Sequence, residues 1–403
     1  MSTRSEHAQA MGAPPGLDHC PFMPTYGVPS VQFVSGTGVR LTDSAGRSYL
    51  DFLSGIAVTG LGHANAEIAD AIAEQARTLV HVSNLFGTVP GGEVAITLDR
   101  LLGGGGQVFF TNSGAEAVEC AIKLARRFGG HGRHGIISAY GSFHGRTLGA
   151  LAATGQPAKW EGFQPLPEGF RHVVWNDLDA IEAAIDPSVI AIMLEPIQGE
   201  GGVNPATAAY FEGVRRLCDE HGLLFIVDEI QTGLGRTGEW FGFQHFGVEP
   251  DVVMMAKALG NGMPIGACWA RRDVASAFTA GDHGTTYGGQ PLAASAARAT
   301  LAIMERLNAP QLAEHAGAHL RRSLLAVDGI LEVRGLGLLL AAQLADGIDA
   351  KAVVAEALTA GLVLNAVSPT SIRFAPPLIV TDSEIEEAVA ILASVLAAHG
   401  VVA

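Results

Sequence analysis

Residues 223–260 run LLFIVDEIQTGLGRTGEWFGFQHFGVEPDVVMMAKALG. The apolar run Leu223–Val227 reads as a buried strand that ends on Asp228. Val252–Met255 reads as a second strand, with Lys257 two residues beyond it. Working outward, Phe211, Val214 and Cys218 share one face of a helix, and Val189–Leu194 is an apolar run that stops at Glu195-Pro196. Gln107–Thr111 reads as a strand and is followed by a helix with Val118, Ala121, Ile122 and Ala125 at i, i+3, i+4, i+7. Strand–helix alternation of this kind predicts an α/β fold, a mostly parallel mixed sheet covered by helices. The last hundred or so residues differ. They mix helical patterns over Leu312–Leu324 and Ser383–His399 with short strands at Leu331–Arg334 and Ile372–Phe374. They predict a smaller α+β domain, completed by the N-terminal segment. The boundaries expected are 1–62 for that segment, 63–290 for the large domain and 291–403 for the C-terminal part.

Composition bounds the function. A chain of 403 residues is too long for one small core. Hydrophobic residues make up 48% and charged residues 16%, well below the usual quarter, so the chain can fill a large core and also bury surface against a partner. Acidic residues outnumber basic ones 40 to 25, and a net charge of −15 argues against a nucleic-acid partner. A few local arginines would still suffice for small anions. None of Cys20, Cys120, Cys218 and Cys268 lies in a CxxC, so they read as reduced thiols. The first twenty residues hold Arg4, Glu6, Pro14, Pro15 and Asp18 and no apolar core of a leader, and no run reaches membrane-spanning length. A cytoplasmic protein without a membrane partner is the expectation.

In an open α/β sheet, ligands sit beyond the carboxyl ends of strands. Asp228 and Glu229, Glu195, the triplet Ser113-Gly114-Ala115 and Lys257 all fall at such ends. The triplet opens a helix and offers a hydroxyl and free backbone N–H groups, which suits a phosphate. It would equally serve as an ordinary cap by Ser113. Lys257 alone reads as a solvated lysine, and Asp228 alone as a strand-end cap. Together they match one chemistry: an amine that condenses with an aldehyde cofactor, and a carboxylate that keeps the cofactor's pyridine nitrogen protonated.

The order of further motifs carries a resemblance. Phe143-His144-Gly145-Arg146-Thr147 precedes Glu195-Pro196-Ile197-Gln198-Gly199-Glu200-Gly201-Gly202. Then come Asp228-Glu229-Ile230-Gln231-Thr232-Gly233, Gly235-Arg236-Thr237-Gly238, Ala256-Lys257-Ala258-Leu259-Gly260, Thr285-Thr286-Tyr287-Gly288-Gly289 and Arg373-Phe374-Ala375-Pro376-Pro377. In this order they resemble class III, fold type I, pyridoxal-phosphate-dependent aminotransferases over nearly the whole chain, from about Met23 to the final helix. Within the family the chain is most similar to the branch acting on N2-acetylornithine.

The resemblance implies roles. Lys257 attaches pyridoxal 5'-phosphate and then moves a proton. Asp228 pairs with the pyridinium nitrogen, Gln231 lies on the ring-hydroxyl side and Phe143 stacks on the ring. Ser113, Gly114 and Ala115 bind the phosphate, helped by Thr286 from the other subunit of a homodimer. Arg146 and Arg373 hold substrate carboxylates, Glu200 gates Arg373, and Tyr26 lies near the substrate. Guanidinium groups suit carboxylates because they bond them bidentately. The chain departs from the family pattern at Gln290 and Val118, where asparagine is common. Ile56 stands where ornithine aminotransferases have tyrosine, which favours an acylated substrate.

The reaction implied is transfer of the δ-amine of N2-acetyl-L-ornithine to 2-oxoglutarate, a step of arginine biosynthesis. Succinyldiaminopimelate, succinylornithine, ornithine and 4-aminobutyrate are the alternative donors. A non-catalytic cofactor-binding scaffold would be marked by loss of Lys257, Asp228 or an arginine, and all are present. An isomerase of the same fold is disfavoured by Glu200 opposite Arg373.

Overall fold

The computed structural model describes residues 22–399, so Cys20 and the rest of the first twenty residues lie outside the described residues. A seven-stranded sheet forms the centre. Its order is Gly106–Thr111, Gly266–Arg271, Val252–Met255, Leu224–Asp228, Val189–Leu194, Gly135–Ala139, Phe170–Val173. Gly266–Arg271 runs antiparallel to both neighbours, and the remaining pairs are parallel. Parallel strands are covered on both faces and so carry continuous apolar runs. Val189–Leu194, Leu224–Asp228 and Val252–Met255 are buried throughout.

Successive residues point to opposite faces and build two cores. Ile226, Met193 and Met254 pack with helix Gly114–Gly129, through Val118, Ala121, Ile122 and Ala125. Phe225, Val227, Ile192 and Val253 pack with helix Ala208–His221, through Phe211, Val214 and Cys218. Val118, one of the two departures from the family pattern, is therefore a core residue. Gln290, the other, caps helix Pro291–Leu307, and its side chain accepts the Leu292 N–H at 2.8 Å.

The smaller α+β part has two sheets. Phe33–Thr37, Arg40–Asp43 and Ser48–Asp51 form an antiparallel meander, and Leu362–Val363 joins Ser48–Asp51 in parallel. Ile330–Leu336, Leu339–Leu344, Ser371–Phe374 and Asn365–Ser368 form the second sheet, which carries Arg373. Helices Ala309–Leu325, Ala350–Thr359 and Asp382–Ala398 cover them. The parallel strands bring Thr111, Leu194, Asp228 and Met255 to one edge of the central sheet. The antiparallel strand begins at that edge, with Gly266 opposite Thr111.

Candidate active site

A pocket of about 400 Å3 opens at that edge. Its wall includes Ser113, Gly114, Ala115, Phe143, Arg146, Glu195, Glu200, Asp228, Gln231 and Lys257. Segments far apart in the chain thus converge on one cavity, as expected at the strand ends of an open α/β sheet.

Lys257 lies two residues beyond its strand and opens a short 3-10 turn, Lys257–Gly260. Its φ of 42° is left-handed, a conformation that costs a non-glycine residue free energy and clusters at functional sites. Burial pulls the Lys257 amine down to about 8 from its ordinary 10.5, with the carboxylates of Glu200, Asp228 and Glu195 partly opposing and Arg373 adding to the fall. An uncharged amine near neutral pH is the nucleophile an aldehyde requires.

Asp228 is held from behind. Its Oδ2 lies 2.8 Å from His144 Nδ1, and its Oδ1 accepts the Ile230 N–H at 3.0 Å. His144 Nε2 lies 3.2 Å from Ser138 Oγ, which in turn lies 3.2 Å from Ser142 Oγ. All four side chains are buried. Among the described residues Glu195 is a second buried carboxylate, and it accepts the Phe143 N–H at 3.0 Å. Burial first, then the nearby Asp228, pushes its carboxyl well above the usual range. It orients Phe143 from the pocket wall. The sequence places Glu195 at a strand end but assigns it no role, and His144 is visible there only as a letter inside a motif.

The cup at Ser113–Ala115 is made by close approach. Ser113 Oγ accepts the Glu116 N–H at 3.3 Å and caps the helix, so the bland reading of this residue is correct as far as it goes. A Cβ on Gly114 would stand 2.9 Å from Ile230 Cδ1, and one on Gly266 would stand 2.6 Å from the Ser113 carbonyl oxygen. Only glycine lets these segments meet.

Arg373 lies behind the wall formed by Glu200 and Gln231. It is buried, and its Nη1 donates to Glu200 Oε1 at 2.5 Å, to the Gly199 carbonyl at 3.2 Å and to Gln231 Oε1 at 3.3 Å. Its Nε donates to Asn365 Oδ1 at 3.1 Å, and its Nη2 has no partner. Burial alone would raise Glu200, but the charge and hydrogen bond of Arg373 outweigh it and hold the carboxyl below its ordinary value. Across the pocket Arg146 is exposed, with its guanidinium carbon 5.7 Å from the Phe143 ring centroid. Lys159 Nζ sits 4.7 Å from the same centroid. This second cation was not singled out in the sequence.

Two expected residues lie elsewhere. Tyr26 is 89% exposed and does not line this pocket. Thr286 lines a separate recess with His81, Asn84 and Phe86. Among the described residues no cluster of His, Cys, Asp and Glu could hold a metal ion, and no helix is long and apolar enough to cross a membrane.

The family model for class-III aminotransferases matches residues 23–396. The chain belongs to that family. An acetylornithine aminotransferase of Corynebacterium efficiens is 50% identical over 93% of this chain and 94% of its own length. One of Methanocaldococcus jannaschii is 46% identical, covering 90% and 92% respectively. Among solved structures, the ornithine aminotransferase of Toxoplasma gondii superposes with a TM-score of 0.89 at 34% identity, over 94% of this chain and 93% of that one. The N-acetylornithine aminotransferase of Stenotrophomonas maltophilia gives 0.80 at 37% identity, over 92% and 96%. Like other class-III aminotransferases, this enzyme works with pyridoxal 5'-phosphate. The residues present fit that group. An aldehyde would meet an amine of lowered pKa, a pyridine nitrogen would meet a buried carboxylate, and a phosphate would meet a helix N-terminus.

Proposed function

We propose that this aminotransferase moves the δ-amino group of N2-acetyl-L-ornithine to 2-oxoglutarate, giving N-acetyl-L-glutamate 5-semialdehyde and L-glutamate in arginine biosynthesis. Pyridoxal phosphate supplies the aldehyde and an electron-accepting ring. Lys257 would hold it covalently and then move the proton at the reacting carbon. Asp228, set by His144, would keep the ring nitrogen protonated. Gln231 would lie on the ring-hydroxyl side, Phe143 would stack on the ring, and Ser113, Gly114 and Ala115 would bind the phosphate.

The observation that carries the reading is the Glu200–Arg373 pair with its unpartnered Nη2. Glutamate reacts at its α-amine, so its α-carboxylate lies beside the reacting carbon, where Arg373 waits, and its side-chain carboxylate reaches Arg146. Acetylornithine reacts at its far end, and its only carboxylate reaches Arg146. Arg373 then keeps Glu200 as its partner, which spares an unpaired buried guanidinium. The test is a panel of amine donors with 2-oxoglutarate as acceptor. Acetylornithine should give the highest kcat/KM. A higher value for succinylornithine, succinyldiaminopimelate, ornithine or 4-aminobutyrate would replace it as the donor.

The proposal includes a cytoplasmic homodimer in which Thr286 of the partner subunit completes the phosphate site. Phe86 lines the Thr286 recess, Tyr287 follows Thr286 in the chain, and both are exposed, as are Leu85, Val89 and Ile96 of the segment that carries Phe86; this apolar surface would suit a second copy. Cys120, Cys218 and Cys268 are free, as in a reducing compartment. Tyr26 retains its proposed place near the substrate only if the N-terminal segment moves toward the pocket. The proposed domain boundaries are residues 62 and 290; helix Pro291–Leu307, which follows the second, packs on helices Ala66–Thr78 and Val89–Leu101 and on the Lys257 turn.

A further inference from the structure

Helix Gly114–Gly129 lies on strand Gly266–Arg271. Cys120 is on the inner side of the helix, and Cys268 is on the strand, in register with Phe109. Both are buried in one apolar cluster with Leu124 and Met254. A cleft of about 250 Å3 is lined by both cysteines together with Gln107, Phe109, Ala275 and Phe278, and Gln107 is exposed at its mouth. The Cys120 thiol faces the Cys268 thiol and the His283 imidazole.

His283 is fixed in turn. Its ring lies 4.8 Å from Phe109 and 5.9 Å from Phe278. Lys123 Nζ is 2.9 Å from His283 Nδ1 and donates at 2.9 Å to the Asp282 carbonyl. An ammonium only donates, so Nδ1 is the acceptor in this contact. A hydrogen bond from Cys268, aided by His283 and Lys123, outweighs burial and holds Cys120 below the ordinary thiol value. Cys268 is pushed up by its bond to Cys120 and by burial. Cys218 has only burial as its main influence, which raises it.

We propose that Cys120 and Cys268 form an oxidisable dithiol, a modification site for hydrogen peroxide and small organic hydroperoxides. Cys120 attacks and Cys268 resolves. The Cys120 thiol gives its proton to solvent through the cleft, and its sulfur takes the distal peroxide oxygen. An S–O bond forms, the O–O bond breaks, and the leaving oxygen picks up a proton as water or alcohol. The Cys268 sulfur, losing its proton, then attacks the Cys120 sulfur. An S–S bond forms, the S–O bond breaks, and hydroxide leaves as water with that proton. The two thiols lose two electrons in total and the peroxide gains them. The bond ties the helix to the strand about 10 Å of helix rise from Ser113, from the seven residues that separate it from Cys120.

The test treats the holoenzyme with hydrogen peroxide and maps its cysteines under non-reducing conditions. The expected result is a Cys120–Cys268 cross-linked peptide, lower in mass by two hydrogens, with Cys218 still reduced and the link reversed by dithiothreitol. In Cys268→Ala, dimedone should label Cys120 as the trapped sulfenic acid. In Cys120→Ala, Cys268 should stay a free thiol. The proposal is overturned if both cysteines remain free in the oxidised wild type, if the link joins either of them to Cys20 or Cys218, or if Cys268 is the dimedone-labelled residue.

Discussion

Lys257 combines a left-handed backbone with an amine whose pKa falls to about 8. Its folded value lies below the unfolded one, so the unfolded chain binds the extra proton between about 8 and 10.5. The cost of burying this lysine is therefore fully present below pH 8 and fades as pH rises through that window. The same shift sets a rate. Borohydride-trapped uptake of pyridoxal phosphate by the apoprotein should rise about tenfold per pH unit below pH 8 and level off above it. A profile centred near the ordinary lysine value would show that the amine is not shifted. Glu200 and Arg373 give a second prediction. In Glu200→Ala the guanidinium is permanently free, so the half-reaction with glutamate should be kept or quickened. The half-reaction with acetylornithine should slow by about 10- to 100-fold, the scale of a hydrogen bond to a charged group. Arg373→Ala should chiefly harm the glutamate side. Stopped-flow traces of each half-reaction separate this from a static ion pair, for which Glu200→Ala would slow both equally. Lys257, Asp228 and Glu200 were legible in the sequence because they end strands or sit in a turn of fixed spelling. The His144 contact to Asp228 was not, since it joins residues 84 apart. Nor was Lys159, which carries no motif and enters the site only through its place over Phe143.

At the level of elements, the cup depends on an intruder. Strand Gly266–Arg271 enters the parallel sheet antiparallel, and its first residue lies against the Ser113 carbonyl. Gly266→Ala would set a methyl 2.5 Å from Thr111 Oγ1 and 2.6 Å from that carbonyl. The helix start must shift. Overpacking of this kind costs about 1–3 kcal/mol, so the melting temperature should fall. Cofactor should also dissociate faster, followed by loss of visible absorbance on dilution, while Gly284→Ala, in open space on the surface, should change neither. An unchanged off-rate in Gly266→Ala would mean that the cup does not hold the phosphate. The parallel strands were readable because burial on both faces writes uninterrupted apolar runs. Gly266–Arg271 shares that apolar character, and nothing in its residues reveals its reversed direction. Leu362–Val363, which pairs with Ser48–Asp51, is too short to carry a period of its own.

For the whole molecule, low charge and high apolarity pointed to a partner, and the exposed Leu85, Phe86, Val89 and Tyr287 show where apolar surface remains. Thr286 shares a recess with Phe86, apart from the pocket of Lys257. Asn112 links the two places: it lines the pocket and donates to Thr285 Oγ1 at 3.2 Å. If a second copy covers this surface about a two-fold axis, each site takes Lys257 from one chain and Thr286 from the other. Mixing inactive variants tests that arrangement. Lys257→Ala lacks the amine. Thr286→Asp sets a carboxylate against the phosphate and should bind cofactor too weakly to work. Each homodimer should be nearly inactive. After the two are unfolded and refolded together in equal amounts, half the dimers are mixed. In a mixed dimer one site combines both defects and the other has neither, so activity should recover to roughly one quarter of wild type. If Thr286 served its own chain's site, every site would carry one defect and mixing would restore nothing. If Thr286 touched no site, Thr286→Asp would be active by itself.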